Sequence, residues 1–88
     1  MFTVYVLQSL TTGKLYTGQT DNFQRRLDEH NLGFSTYTKG RGPWKCIYSE
    51  IYSTRSEAMG REKFLKSGQG REWLYKTLKI RVSPPQAD

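Results

Sequence analysis

From Phe2 to Leu7 the chain interleaves Phe2, Val4 and Val6 with Thr3, Tyr5 and Leu7. Both sets are largely apolar, aromatic or β-branched, which predicts a strand covered on its two faces. Leu10-Thr11-Thr12-Gly13 predicts a turn and Lys14 to Gln19 a partner strand, so the first twenty residues read as an antiparallel hairpin. If the loop holds an even number of residues, Tyr5 and Tyr16 sit opposite each other and share a face. Asp21 or Thr20 is placed to cap a helix that carries Phe23 and Leu27 at an i, i+4 spacing and stops near Gly33. Trp44 to Tyr52 predicts a third strand. Thr54-Arg55-Ser56-Glu57 fits a capping box, because the threonine oxygen and the glutamate satisfy each other's orphan amide donors; it opens a second helix running to about Lys66. Gly68-Gln69-Gly70 predicts a break, and Arg71 to Ile80 a third helix with Leu74 and Leu78 on one face. The tail from Ser83, with Pro84-Pro85, is expected to fray.

No linker, repeat or low-complexity tract divides the 88 residues, so one domain with a modest core and one small site or surface is expected. Fourteen Lys and Arg against eight Asp and Glu give a net charge of +6, which favours polyanionic partners because each phosphate neutralised releases condensed counterions. Cys46 stands alone and no Cys/His cluster has zinc-ligand spacing, which points to a reducing compartment and to Cys46 as strand packing. No apolar run approaches the roughly 20 residues that cross a bilayer, and the amino terminus lacks a basic segment followed by an apolar one. A soluble, cytoplasmic protein without membrane contact is the expectation.

Two helices carry ionisable residues in the middle of stripes that should be apolar. At about 100° per residue, Phe23, Arg26, Leu27 and His30 fall in one arc, and Ala58, Glu62 and Leu65 do the same on the second helix. Buried charges are costly unless paired or bound to a metal, so the pattern leaves two readings: a structural Arg26–Glu62 ion pair, or a site.

Val4-Tyr5 followed by Tyr16-Thr17-Gly18, the tyrosines eleven apart, then Arg26 and His30 four apart, then Glu62, resembles the GIY-YIG nuclease family. Tyr37-Thr38-Lys39-Gly40-Arg41-Gly42-Pro43-Trp44 and Ser56-Glu57-Ala58-Met59-Gly60-Arg61-Glu62-Lys63 are similar to its small stand-alone YhbQ-like branch. The resemblance runs from Thr3 to about Leu78 and implies an α+β fold, a three-stranded antiparallel sheet flanked by helices in the order β-β-α-β-α-α, with the domain over residues 1–82 and 83–88 a flexible tail. It implies metal-dependent cleavage of DNA phosphodiesters in repair or processing. Tyr5 and Tyr16 match the motif tyrosines, Gly18 the motif glycine, Arg26 the catalytic arginine, His30 the histidine one turn later and Glu62 the metal-binding glutamate. Two positions depart from the name: Thr3 stands at the glycine of the first motif and Thr17 at the isoleucine of the second.

Phosphodiester hydrolysis needs an activated water, neutralisation of charge on the phosphoryl oxygens, and help for the departing 3′ oxygen. A hard cation, Mg²⁺ or Mn²⁺, accepts one carboxylate and otherwise keeps waters and substrate oxygens, which suits Glu62 alone. Arg26 carries a planar, permanently charged fork for two phosphate oxygens. Tyr5 is expected to take the proton of the attacking water while Tyr16 positions water or phosphate; with a reference pKa near 10, Tyr5 needs a cation or base beside it. His30 either hydrogen-bonds a tyrosine hydroxyl or a phosphate, or packs as a helix histidine.

For DNA binding, Arg25 projects from the opposite side of its helix, and Lys39, Arg41 and Lys45 surround Tyr37 and Trp44 in a basic stretch able to track a phosphate backbone, unless Trp44 packs inward. So small a domain has little area for reading sequence, so selectivity for DNA shape, branched or single-stranded, and a monomer are expected. The alternative function is a nucleic-acid-binding module that cleaves slowly or not at all.

Overall fold

The computed structural model describes residues 1–33, 39–40 and 42–78. Its elements run β1 (Phe2–Ser9), β2 (Leu15–Thr20), α1 (Phe23–Asn31), β3 (Trp44–Tyr52), α2 (Arg55–Lys66) and α3 (Gly68–Leu78). The strands form one antiparallel sheet in the order β2-β1-β3, which places the first strand at the centre.

That central position explains the sequence of β1. Val4 and Val6 pack with Ala58 and Leu65 of α2 and Leu74 of α3, while Tyr5 and Leu7 pack with Trp44, Phe23 and Leu27 on the α1 side. Val4 through Leu7 are all at most 1% exposed, as expected of a strand covered on both faces. Burying each such aliphatic side chain contributes about 2 kcal/mol. A bulge between Val6 and Leu7, where Val6 pairs with Tyr48 and Leu7 with Cys46, lets Ile47 and Tyr48 both pack on the α2–α3 side while Cys46 and Trp44 stay on the α1 side.

The predicted turn between β1 and β2 closes around Ser9, whose Oγ accepts from the Thr11 and Thr12 amides, with Gly13 at φ +77°. Its length sets a register in which Tyr5 pairs with Gly18 and Tyr16 with Leu7. The tyrosines therefore share a face but lie diagonally instead of directly opposite.

Helix α1 is capped by Asn22, whose Oδ1 accepts from the Arg25 amide at 3.2 Å, and not by Asp21 or Thr20. Thr20 serves one step earlier, its Oγ1 accepting from the Asn22 amide at 3.0 Å. Helix α2 opens with the predicted capping box on Thr54 and Glu57. Beyond it, Gly68 and Gly70 do not break the chain; α3 begins at Gly68. A Cβ on Gly70 would lie 1.9 Å from the Phe64 carbonyl oxygen, so this glycine permits close contact between α3 and the last turn of α2. The expected helical residues 79–80 and the tail lie outside the described residues.

Candidate active site

The α1 face of the sheet gathers four of the five expected catalytic residues. Tyr5 Oη and His30 Nε2 are joined by a hydrogen bond of 2.9 Å, and both residues are 1% exposed. Around them the rings pack edge to face or tilted: Tyr16 lies 4.8 Å from His30 and 6.4 Å from Tyr5, and Phe23 lies 5.6 Å from Tyr5. Gly18 makes this arrangement possible, because a Cβ there would lie 2.6 Å from the Tyr5 oxygen. The motif glycine is thus the floor over which the Tyr5 hydroxyl passes.

The helix is fixed to the sheet by a residue whose role the sequence did not reveal. Asn31 Oδ1 accepts from the Trp44 amide at 2.7 Å and its Nδ2 donates to the Trp44 carbonyl at 3.3 Å, so the side chain pairs with the start of β3 as a short strand would. This contact holds His30, one residue earlier, against the strands.

Arg26 stands beside the pair at the surface. Its Nη1 donates to Glu29 Oε1 at 2.9 Å, and the Arg26 side chain is 35% exposed. The hydrogen bond to Glu29, with the neighbouring Tyr5 hydroxyl, raises its pKa further above an already high value. The Arg26–Glu62 ion pair does not form: Glu62 instead pairs with Lys66 one turn along α2, at 2.7 Å. Glu62 belongs to the helix that packs on the Val4–Val6 face, yet its carboxylate is near enough to Tyr5 to raise that tyrosine's pKa.

Burial, with the nearby Tyr16, pushes the Tyr5 hydroxyl up to about 12, against a smaller downward pull from Arg26. Burial and the positive charge of Arg26 push His30 down to about 4, so at neutral pH the imidazole is uncharged. Tyr5 in this resting state keeps its proton, beside a neutral ring able to accept one.

Other expected residues fall apart from this cluster. Trp44 is 3% exposed and packs inward, which removes it from base stacking. Lys45 follows it on β3 and, by strand alternation, projects from the opposite face. Arg25 is exposed, with only long approaches of 3.9 Å to Asp21 and Glu29. Lys39 is exposed beside Gly33 at the end of α1; Arg41, Tyr37 and Thr38 lie outside the described residues. Cys46 is half-buried and burial pushes its thiol up, so it is no ready nucleophile.

Among the described residues no group of three or more His, Cys, Asp or Glu side chains could hold a metal ion. Glu62, half-buried and paired with Lys66 at 2.7 Å, fits the single carboxylate that a hard divalent cation requires when waters and substrate oxygens complete its shell. The donor set does not fit zinc, which would require more protein ligands.

The arrangement is a small antiparallel sheet that presents two tyrosines, an arginine and a histidine on one face. Residues 1–76 match the GIY-YIG catalytic domain. The chain belongs to the GIY-YIG family of nuclease domains, which generally use a divalent metal and act on DNA. It is 42% identical over 64 residues to a UPF0213 protein of Clostridium perfringens, covering 72% of this chain and 68% of that protein. A UPF0213 protein of Haloquadratum walsbyi is 42% identical over 65 residues, 73% of this chain and 72% of its own. The solution structure of a UPF0213 protein from Bacillus halodurans superposes with a TM-score of 0.54 at 33% identity, covering 88% of this chain and 85% of that one. No helix among the described residues is long and apolar enough to cross a membrane.

Proposed function

We propose that this protein is a metal-dependent DNA endonuclease acting in DNA repair or processing, selective for the shape of its substrate more than for its sequence. The observation that carries the reading is the Tyr5–His30 hydrogen bond of 2.9 Å, flanked by Arg26 and Tyr16 and reached by the charge of Glu62. In this reading Glu62 holds Mg²⁺ or Mn²⁺, which supplies neutralisation of phosphoryl charge and a more acidic water.

This chain's own residues do the rest. Arg26 sits at the surface and receives the scissile phosphate on its guanidinium fork. Tyr16, half-buried at the rim, orients the attacking water. Tyr5, with its pKa near 12, is too weakly acidic to stand as a phenolate at neutral pH, so it acts as a relay. Its oxygen takes a proton from the water as its own proton passes to Nε2 of the neutral His30. A phosphate seated on Arg26 cancels the charge that depresses His30, which favours that transfer when substrate is bound.

The deep burial of Tyr5 and His30 favours a second reading, in which their hydrogen bond only anchors α1 to the sheet and the domain binds nucleic acid without cutting it. The two are separated by a labelled-substrate assay with Mg²⁺ or Mn²⁺ on single-stranded, duplex, flapped and branched DNA, beside Glu62→Ala. Cutting that requires the metal and falls about 10³-fold in the variant is expected. Salt-sensitive binding without any cutting would establish the second reading instead.

A further inference from the structure

Helix α1 carries one further charged side chain beside the candidate active site, and the proposed reaction gives it no task. At about 100° per residue Glu29 falls about 60° from Arg26, just outside the arc that holds Phe23, Leu27 and His30. It is half-buried there, its side chain 32% exposed against 35% for Arg26. Asp28, one residue earlier, is exposed and accepts instead from Gln24 Nε2 at 3.1 Å. The two Glu29 oxygens divide between two cations: Oε1 accepts from Arg26 Nη1 at 2.9 Å, and Oε2 lies 3.9 Å from Arg25 Nε. The Arg26 guanidinium also neighbours the Tyr5 hydroxyl, so a carboxylate of its own helix and a hydroxyl of the central strand both bear on it.

We propose that Glu29 is a positioning residue, which holds the Arg26 guanidinium in place beside the Tyr5–His30 pair before substrate arrives. This role rests on the nuclease reading, in which Arg26 receives the scissile phosphate, and adds to it the residue that orders Arg26. An arginine left free has several rotatable bonds to fix when it meets a phosphate. The bond to Glu29 fixes them in advance, and it occupies only one of five N–H donors, so the guanidinium keeps donors for phosphate oxygens. Residues three apart on a helix are neighbours, so the helix itself sets the spacing of the pair. Stability is a weak rival explanation, because an ion pair at this exposure contributes little to folding. A carboxylate beside a bound phosphate repels it, so the effect of Glu29 belongs in kcat and not in a lower KM.

The test compares Glu29→Ala and Glu29→Gln with wild type, in the full chain, on a labelled DNA substrate with Mg²⁺ or Mn²⁺. Glu29→Ala should lower kcat about tenfold with KM no higher than wild type, the loss that a slightly misplaced catalytic group brings. Glu29→Gln, whose amide oxygen still accepts from Arg26 Nη1, should recover the rate to within about threefold. Melting should fall by at most about 4 °C in either variant, which separates a misplaced arginine from a lost fold. A second readout needs no cutting: the ¹⁵N order parameter of the Arg26 Nε–H bond should drop below about 0.6 in Glu29→Ala and stay higher in wild type and in Glu29→Gln. Wild-type kcat in Glu29→Ala, a loss in Glu29→Gln as large as in Glu29→Ala, or equal order of Arg26 in all three proteins would each overturn the positioning role. Faster cutting by both variants would overturn it too, by showing that the carboxylate competes with phosphate for Arg26. A wild-type chain that cuts no DNA would overturn the nuclease reading, and the positioning role with it.

Discussion

Each face of the sheet carries a polar cluster that includes tyrosines and an arginine, and the two differ in what the arginine engages. On the α2–α3 face, Glu50 accepts from four donors. Tyr52 and Arg61 Nε bind one oxygen, at 2.5 and 3.0 Å, and Tyr48 and Arg61 Nη2 bind the other. The guanidinium also lies over Phe64 at 5.0 Å and Trp73 at 4.8 Å. Burial alone would raise the Glu50 pKa, but these hydrogen bonds and the Arg61 charge outweigh it and hold the carboxyl below its usual value. This fork-on-carboxylate arrangement is closed, with its strong donors and acceptors turned on one another. On the α1 face Tyr5 and His30 share a hydrogen bond of 2.9 Å, and Arg26, its side chain 35% exposed, gives a nitrogen to Glu29 at the surface. The closed cluster ties β3 to α2; the open one is the cluster to which the proposed function assigns proton exchange and phosphate binding.

The comparison sharpens first at His30. Its pKa is about 4 when folded against 6.5 ordinarily, so between these values the unfolded chain binds the extra proton and stability rises with pH. The contribution is full above pH 6.5 and is lost as pH falls through 4, about 3 kcal/mol in all. Thermal melts across that window should fall more steeply for wild type than for His30→Gln. Parallel curves would mean that the imidazole is not held neutral. A smaller effect is expected at Gly18, where a methyl group must displace the Tyr5 hydroxyl. Gly18→Ala should slow cleavage about tenfold, since a catalytic group moved by about 1 Å commonly costs that or more. A fold check by circular dichroism should show the sheet retained, and a wild-type rate would remove Gly18 as the floor of the site.

Much of the open cluster was legible because its signals are local. Phe23, Arg26, Leu27 and His30 share an arc of one helix, and Thr54 with Glu57 writes its cap within four residues. The closed cluster was not legible: Glu50 and Arg61 lie eleven residues apart on different elements, and no periodicity links them. The diagonal placement of Tyr5 and Tyr16 depends on register, which the turn at Ser9 sets and residue spacing does not. Gly70 was misread because glycine serves both to end helices and to admit close backbone contact, and only the packing of α3 on α2 decides between them. At the start of α1, Thr20, Asp21 and Asn22 are all good caps, and backbone geometry selects the last. The placement of the Glu62 helix on the facing layer is likewise tertiary, visible in the sequence only as a carboxylate out of place.

The division of labour between the faces is tested most directly by measuring cleavage rate and melting temperature together on Arg26→Ala and Arg61→Ala. Arg26→Ala should lose about 10³-fold in rate with little change in melting, because it removes charge stabilisation at a surface site. Arg61→Ala should melt about 10 °C lower, from roughly 2 kcal/mol lost when a half-buried carboxylate loses its cation, yet cut at the wild-type rate below its transition. The contrary result, a folded Arg26→Ala that cuts normally or a folded Arg61→Ala that does not cut, would contradict the assignment of chemistry to the α1 face.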